Sequence, residues 1–406
     1  MEGAILEGLR DPAGLPFYPQ VFLALGVLTF ALHIFAVQLM LGASGLTIWG
    51  SMSTNPHMRR LGLSMLNVAK IAVSVAIVLG VAPLLFVQVI YDPFWYTANV
   101  LSARYVIGFI VVLIAAYLAM YFYYFRNYHA DPAAPRKSAW SMIASILLML
   151  AVGSIMHVLS REMLFPEEWK AWYAPGGQID PSGANFRAFS PFRFGFFIAM
   201  AVPVAGAWLV AFRSYFATRG DVEGDYLDFL GALGRRMAAV GTALVLALGA
   251  GWMLSLPEKA AGFAGSPFVW IAALGLVAAG LFASVERARD NTWALMAPVV
   301  FVVSALLTAI GREALRFAML KGQHGYDIAT YKVNLDVYST ALFFGTFAIV
   351  GGLALSYLLG VLWNAGRTQG VYTPGPVLSR LGTAAIWSIG LWVIHFFAFG
   401  FTVWAQ

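Results

Sequence analysis

The chain has 406 residues, 61% hydrophobic and only 11% charged, with a formal net charge of +6. A water-soluble domain carries about 25% charged residues, so this composition excludes one, and the small positive excess reads as loop bias rather than a nucleic-acid footprint. Cysteine is absent, which excludes disulfides, thiolate iron–sulfur ligation, covalent c-type haem and a catalytic thiol.

The opening residues include Glu2, Glu7, Arg10 and Asp11, unlike the basic start of a cleaved leader, so the first apolar helix is expected to be retained. Apolar runs then predict ten membrane-spanning helices, at about 17–49, 62–91, 103–126, 138–162, 191–213, 234–256, 266–284, 293–320, 334–363 and 379–404. The runs lack the period-two alternation of barrel strands, so the expected class is all-α. Turns such as Tyr91-Asp92-Pro93 and Ala130-Asp131-Pro132 separate the helices. No repeat or soluble domain interrupts a single transmembrane domain, with a first four-helix bundle to about residue 165 and a second bundle from about residue 190. The connections after odd-numbered helices hold thirteen Lys or Arg, among them Arg59, Arg136, Arg219, Arg287, Arg289 and Arg367; the opposite short connections hold Arg10, Arg104 and Lys259. The bias puts both termini, and the long loops Glu162 to Ser190 and Lys321 to Asn334, on the non-cytoplasmic side.

Ionisable residues within membrane helices are costly and so are candidate functional groups. Those within these runs are His33, Lys70, His157, Arg312-Glu313-Arg316 and His395. No Asp or Glu is placed deep in a span, which argues against a proton-driven transporter. His33 lies ~22 Å along the first helix, His157 ~8 Å and His395 ~14 Å from the outer ends of theirs. Each imidazole either ligates a haem iron or hydrogen-bonds a neighbouring helix. Met40, Met156, Met163 and Met200 are read as packing rather than ligation, and His57, His129 and His324 as solvated loop residues. Lys70 either snorkels to the interface, or partners a haem propionate or an inward proton path. Arg312 and Arg316 share a helix face from which Glu313 is expected to turn away; they either anchor the interface or hold propionates or a quinone carbonyl.

Ala31-Leu32-His33-Ile34-Phe35 with Leu41-Gly42, Lys70 with Leu79-Gly80-Val81-Ala82, Ser154 with Arg161-Glu162-Met163 and Pro166, and Gly311-Arg312 occur in that order. The set resembles subunit I of the cytochrome bd quinol oxidases, co-linear over most of the chain. The resemblance implies the helical fold, a bacterial-type inner membrane and a haem ligated through His33. Departures accompany it. The family's low-spin ligands, a His opening the fifth helix and a Met in the seventh, are missing from Phe192-Arg193-Phe194-Gly195 and Pro267-Phe268-Val269-Trp270. Its Glu ligand before Gly-Arg is Ala309 or Ile310, its third-helix carboxylates are absent from Ile107-Gly108-Phe109-Ile110, and its quinol loop shortens to about Pro257–Ser266. A tenth helix brings His395.

The expectation is therefore a divergent b-haem subunit of a respiratory electron-transfer complex. It would work between quinol or an outer c-type cytochrome and a terminal acceptor, with oxygen a candidate. His33 would be the axial ligand, with His157 and His395 as secondary candidates and Lys70, Arg312 and Arg316 toward propionates; a second haem and haem d stay open. Lipid and further redox subunits are the expected partners, and nucleic acid is not. A haem-free anchor that binds quinone is the alternative, and a transporter a distant third.

Overall fold

The computed structural model describes residues 2–131, 136–285 and 291–405; Pro132, Arg287 and Arg289 of the sequence argument lie outside them. Among the described residues ten helices are long and apolar enough to cross a membrane. They are α1 (Pro19–Met52), α2 (Pro56–Ile90), α3 (Ala103–Asn127), α4 (Ala139–Glu162), α5 (Pro191–Phe216), α6 (Gly224–Leu254), α7 (Pro267–Ser284), α8 (Trp293–His324), α9 (Val337–Ala365) and α10 (Pro376–Trp404). Among the described residues the one β feature is an isolated bridge between Leu15 and Val333. The protein is an all-α polytopic membrane protein.

The outward faces show why water cannot be its solvent. Along α3, Ile107, Val111 and Leu118 repeat at helical spacing and stay 75%, 68% and 61% exposed. A helix that turns its apolar stripe away from the core has lipid for a neighbour. Inside, small residues let backbones approach, because lipid gives helices no hydrophobic reason to associate and close packing must do it. A Cβ on Gly50 of α1 would stand 2.7 Å from the Gly62 Cα of α2, and one on Gly206 of α5 would stand 2.6 Å from the Gly234 carbonyl of α6.

Proline and caps set the helix ends. Asn55 caps α2 through hydrogen bonds from the His57 and Met58 N–H groups, with Pro56 at the first helical position. Within α5 the helix breaks at Met200. Pro203 has no N–H for the Ala199 carbonyl one turn back, which accounts for the break. The α6 helix starts earlier than its apolar run, so Arg235 and Arg236 lie inside it rather than in a loop.

Two compact units divide the chain. The first comprises residues 1–12, 19–214 and 224–331, and so holds α1 to α8; the second comprises 13–18, 215–223 and 332–406, and so holds α9 and α10. In the second unit α9 passes through a π-helical stretch, Thr346–Gly351. There the Trp392 indole N–H of α10 donates to Thr346 Oγ1 at 2.8 Å. In the first unit, one end gathers the long α4–α5 connection, the 3₁₀ turn Glu258–Gly265 and the end of α8. Lys259 Nζ stands 3.6 Å and His324 Nε2 3.2 Å from the Glu167 carboxylate. This loop end carries most of the buried polar chemistry.

Candidate functional site

Three helices bring four arginines together at the loop end. Arg161 is in the last turn of α4, Arg193 in the first turn of α5, and Arg312 and Arg316 are one turn apart on α8. The charges of Arg161, Arg312 and Arg316 all bear on Arg193. One carboxylate answers them. Glu313 Oε2 accepts from Arg316 Nη1 at 2.8 Å and stands 3.8 Å from Arg312 Nη1. Glu313 therefore does not turn away from the arginine face as the helical spacing suggested: its i, i+3 relation to Arg316 brings the two side chains together. Its other oxygen accepts the Tyr91 hydroxyl at 2.8 Å. Burial, then the Glu313 charge, hold the Tyr91 phenol well above its ordinary range, so Tyr91 remains a donor.

Aromatic rings stand where further carboxylates would. Arg312 lies 4.1 Å over Phe30, Arg316 5.1 Å over Tyr91, Arg161 5.3 Å over Phe165, and Arg193 5.7 Å from both Phe197 and Trp252. Cation–π contact offsets part of the desolvation of a guanidinium but does not neutralise it. Arg161 has no hydrogen-bonded or ion-paired side-chain partner among the described residues, and the buried Nε atoms of Arg161 and Arg312 meet no acceptor. The arrangement is one that an anion completes.

His33 projects from α1 onto α2. Its Nδ1 pairs with the Ala76 carbonyl at 2.9 Å, so Nδ1 carries the proton and Nε2 the lone pair. A carbonyl partner of this kind fixes the tautomer in metal-ligating histidines. The ring lies on Gly80, where a Cβ would come within 2.8 Å of Cε1. Phe30, the platform for Arg312, is one turn from His33 on the same helix. Among the described residues Nε2 has no hydrogen-bond partner, so its lone pair is of the kind an axial haem ligand uses, and the guanidiniums around Arg312 are of the kind that hold carboxylates.

The other histidines are engaged by the protein itself. His157 Nε2 accepts the Ser190 N–H at 3.1 Å, which leaves the ring proton on Nδ1, 3.0 Å from Arg193 Nη1, so donor faces donor there; the same Nη1 donates to Ser160 Oγ at 3.2 Å. His395 belongs to the second unit, where Nε2 pairs with the Tyr338 hydroxyl at 2.8 Å. Among the described residues no three His, Cys, Asp or Glu side chains group as a metal site. His324, expected to be solvated, is 7% exposed, because α8 continues through it and turns it toward Glu167. His57 is half-buried against Phe229 rather than in open solvent, since α2 starts before it. The Lys70 ammonium sits 3.8 Å over the Tyr124 ring.

Sequence reasoning missed two further groups. Glu162, fully buried at the end of α4, takes hydrogen bonds from Ser102 at 2.8 Å and Asn185 at 2.6 Å. On the loops, Tyr331 donates to Asp92 and pairs with the Tyr326 hydroxyl at 2.7 Å. Arg10 is stacked 4.2 Å over Tyr326 and 4.0 Å over Tyr331. Burial raises the Asp92 carboxyl and pushes the Tyr326 phenol up to about 12. Both groups sit at span ends, where a charge is ordinarily read as solvated.

A cavity of about 370 Å³ opens on another side of Arg312, between α5, α6, α7 and α8. Phe196, Trp252, Met253, Phe268 and Leu276 form much of its wall, and among the described residues Arg312 is the one charged residue in its lining.

No protein-family model matches the chain and no curated protein matches it, so what this site does is argued from its own residues.

Proposed function

We propose that the chain is a b-haem-binding membrane subunit of a respiratory electron-transfer complex, in a bacterial-type inner membrane with both termini outside the cytoplasm. It would work between quinol or a c-type cytochrome and a terminal acceptor, with oxygen a candidate. The observation that carries the reading is His33: Nδ1 is committed to the Ala76 carbonyl, Nε2 has no hydrogen-bond partner among the described residues, and Phe30, one turn away, lies under the guanidinium of Arg312. A bound haem would supply one-electron chemistry. His33 would hold its iron, and Arg312 and Arg316 would hold its propionates through charge-assisted hydrogen bonds. His157 and His395 join as ligands only by giving up Ser190 and Tyr338. In the arrangement described, His157 is instead committed to the Ser190 N–H.

A second reading, a haem-free anchor that binds quinone beside other redox subunits, is favoured by the apolar cavity at Arg312. A reduced-minus-oxidised visible spectrum and a pyridine haemochrome assay of the purified chain separate the two. A b-type signal that His33→Ala removes or shifts supports the haem subunit. A folded preparation without haem leaves the anchor.

A further inference from the structure

The cavity beside Arg312 carries its own polar device. Thr308 and Arg312 are one turn apart on α8 and both line it, and the buried Thr308 Oγ1 and Arg312 Nε have no hydrogen-bond partner. The Arg312 side chain is only 14% exposed, and its carboxylate neighbour Glu313 is already held by Arg316 and Tyr91. The rest of the lining is almost wholly hydrocarbon and aromatic, and it includes Leu254, Trp270 and Phe268, which are 87%, 62% and 44% exposed on the apolar exterior. A molecule entering past these residues comes from the bilayer.

We propose that this cavity binds an acidic phospholipid, with one acyl chain between α6 and α7 and the phosphate held by Arg312 and Thr308. Charge selects the head group. Four neighbouring guanidiniums share a single carboxylate, so a ligand with net negative charge lowers the energy of the cluster where a neutral quinone carbonyl does not. A guanidinium has five N–H donors and a threonine hydroxyl one, enough for several phosphate oxygens. Hydrocarbon on the walls selects an amphiphile over a free anion. The inference does not depend on a haem at His33.

The test uses the full chain purified in a neutral detergent, with phosphatidylglycerol, phosphatidylcholine or a menaquinone added. Retained ligand is counted by native mass spectrometry and by extraction. About one phosphatidylglycerol per chain is expected to survive delipidation. Its affinity should fall roughly tenfold or more in Arg312→Gln, as losing a charge-assisted contact implies, and fall again in Ala273→Phe, which fills the cavity. Ile107→Phe, on the bilayer face of α3, should leave it unchanged. Thermal unfolding of each variant without lipid shows that it is folded, and the haem spectrum of the parent and of Ala273→Phe, which keeps Arg312, reads the other proposal separately. Equal retention of phosphatidylcholine, preference for the quinone, or unchanged binding in folded Arg312→Gln overturns the proposal.

Discussion

Tyr91 and Glu313 meet at 2.8 Å, hydroxyl to carboxylate, and this contact sets the orientation of the one acid among four arginines. With one oxygen held by Tyr91 and the other by Arg316, the carboxylate has no freedom to leave the cluster. Glu313→Gln is therefore expected to destabilise the fold by about 3–5 kcal/mol, the cost of leaving a buried charge without its partner. Tyr91→Phe should cost less, about 1.5–3 kcal/mol, because the ion pair with Arg316 survives. Thermal unfolding of the two variants in detergent checks the order. A Gln variant as stable as the parent would mean that the arginines are neutralised by something other than Glu313.

Gly80 is the floor of the His33 site. Alanine in a helix interior ordinarily gains about 1 kcal/mol over glycine. Here the new Cβ would stand 2.8 Å from the imidazole Cε1, and overpacking of that kind costs about 1–3 kcal/mol. The clash should win. Gly80→Ala is expected to push the ring off the Ala76 carbonyl and, if the proposed haem is bound through His33, to lower haem content or shift its spectrum, while Gly45→Ala, which meets open space, does neither. A haem spectrum indifferent to Gly80→Ala but lost in His33→Ala would place the iron away from this ring position.

The helices were legible because ten long apolar runs leave the backbone no alternative in lipid, and their edges moved mainly where polar turns extend them, as Gly224 does for α6. The site was legible only where a charge sits deep enough to attract notice. His33 and Arg312 met that condition. Arg161, Arg193 and Glu162 sit within a turn or so of a helix end, where snorkelling is the ordinary expectation. The burial of Glu162 depends on the α4–α5 connection folding back over the end of α4, as the Asn185 and Trp169 bonds to Glu162 show. No pattern within one helix reveals a cover supplied by a loop. The Glu313 misreading has the same root: helical geometry places the Cβ atoms, whereas long side chains bend toward the partner that best relieves their charge.

Asp92 makes stability depend on pH. Burial raises its carboxyl above the ordinary value of 3.8, against the opposing bond from Tyr331. The folded protein thus holds the proton more tightly than the unfolded chain does. Stability from this group is present at low pH and is lost as pH rises from about 4 through the raised value. Asp92→Asn keeps an oxygen for Tyr331 and has no proton to lose. Its melting temperature should fall less between pH 4 and 7 than that of the parent, a comparison that cancels the titration of groups common to both. Parallel profiles would show that Asp92 ionises at its ordinary value.

Glu162 should tolerate glutamine and not alanine. Ser102 Oγ lies 2.9 Å and 2.8 Å from the two Glu162 oxygens and 2.6 Å from the Asn185 carbonyl, yet the hydroxyl has one proton to donate. One neighbour has to donate to Ser102 in turn, and the side-chain amide of glutamine does so while its oxygen accepts from Asn185 Nδ2. Glu162→Gln is therefore expected within about 1 kcal/mol of the parent. Glu162→Ala leaves the Asn185 Nδ2 amide without its acceptor and opens a cavity, at about 2–4 kcal/mol. Because Asn185 ties the α4–α5 connection to Glu162, the alanine variant should also expose that segment to proteolysis, whereas the glutamine variant should not. Rapid cleavage between α4 and α5 in the parent itself would show that Glu162 does not hold the cover down.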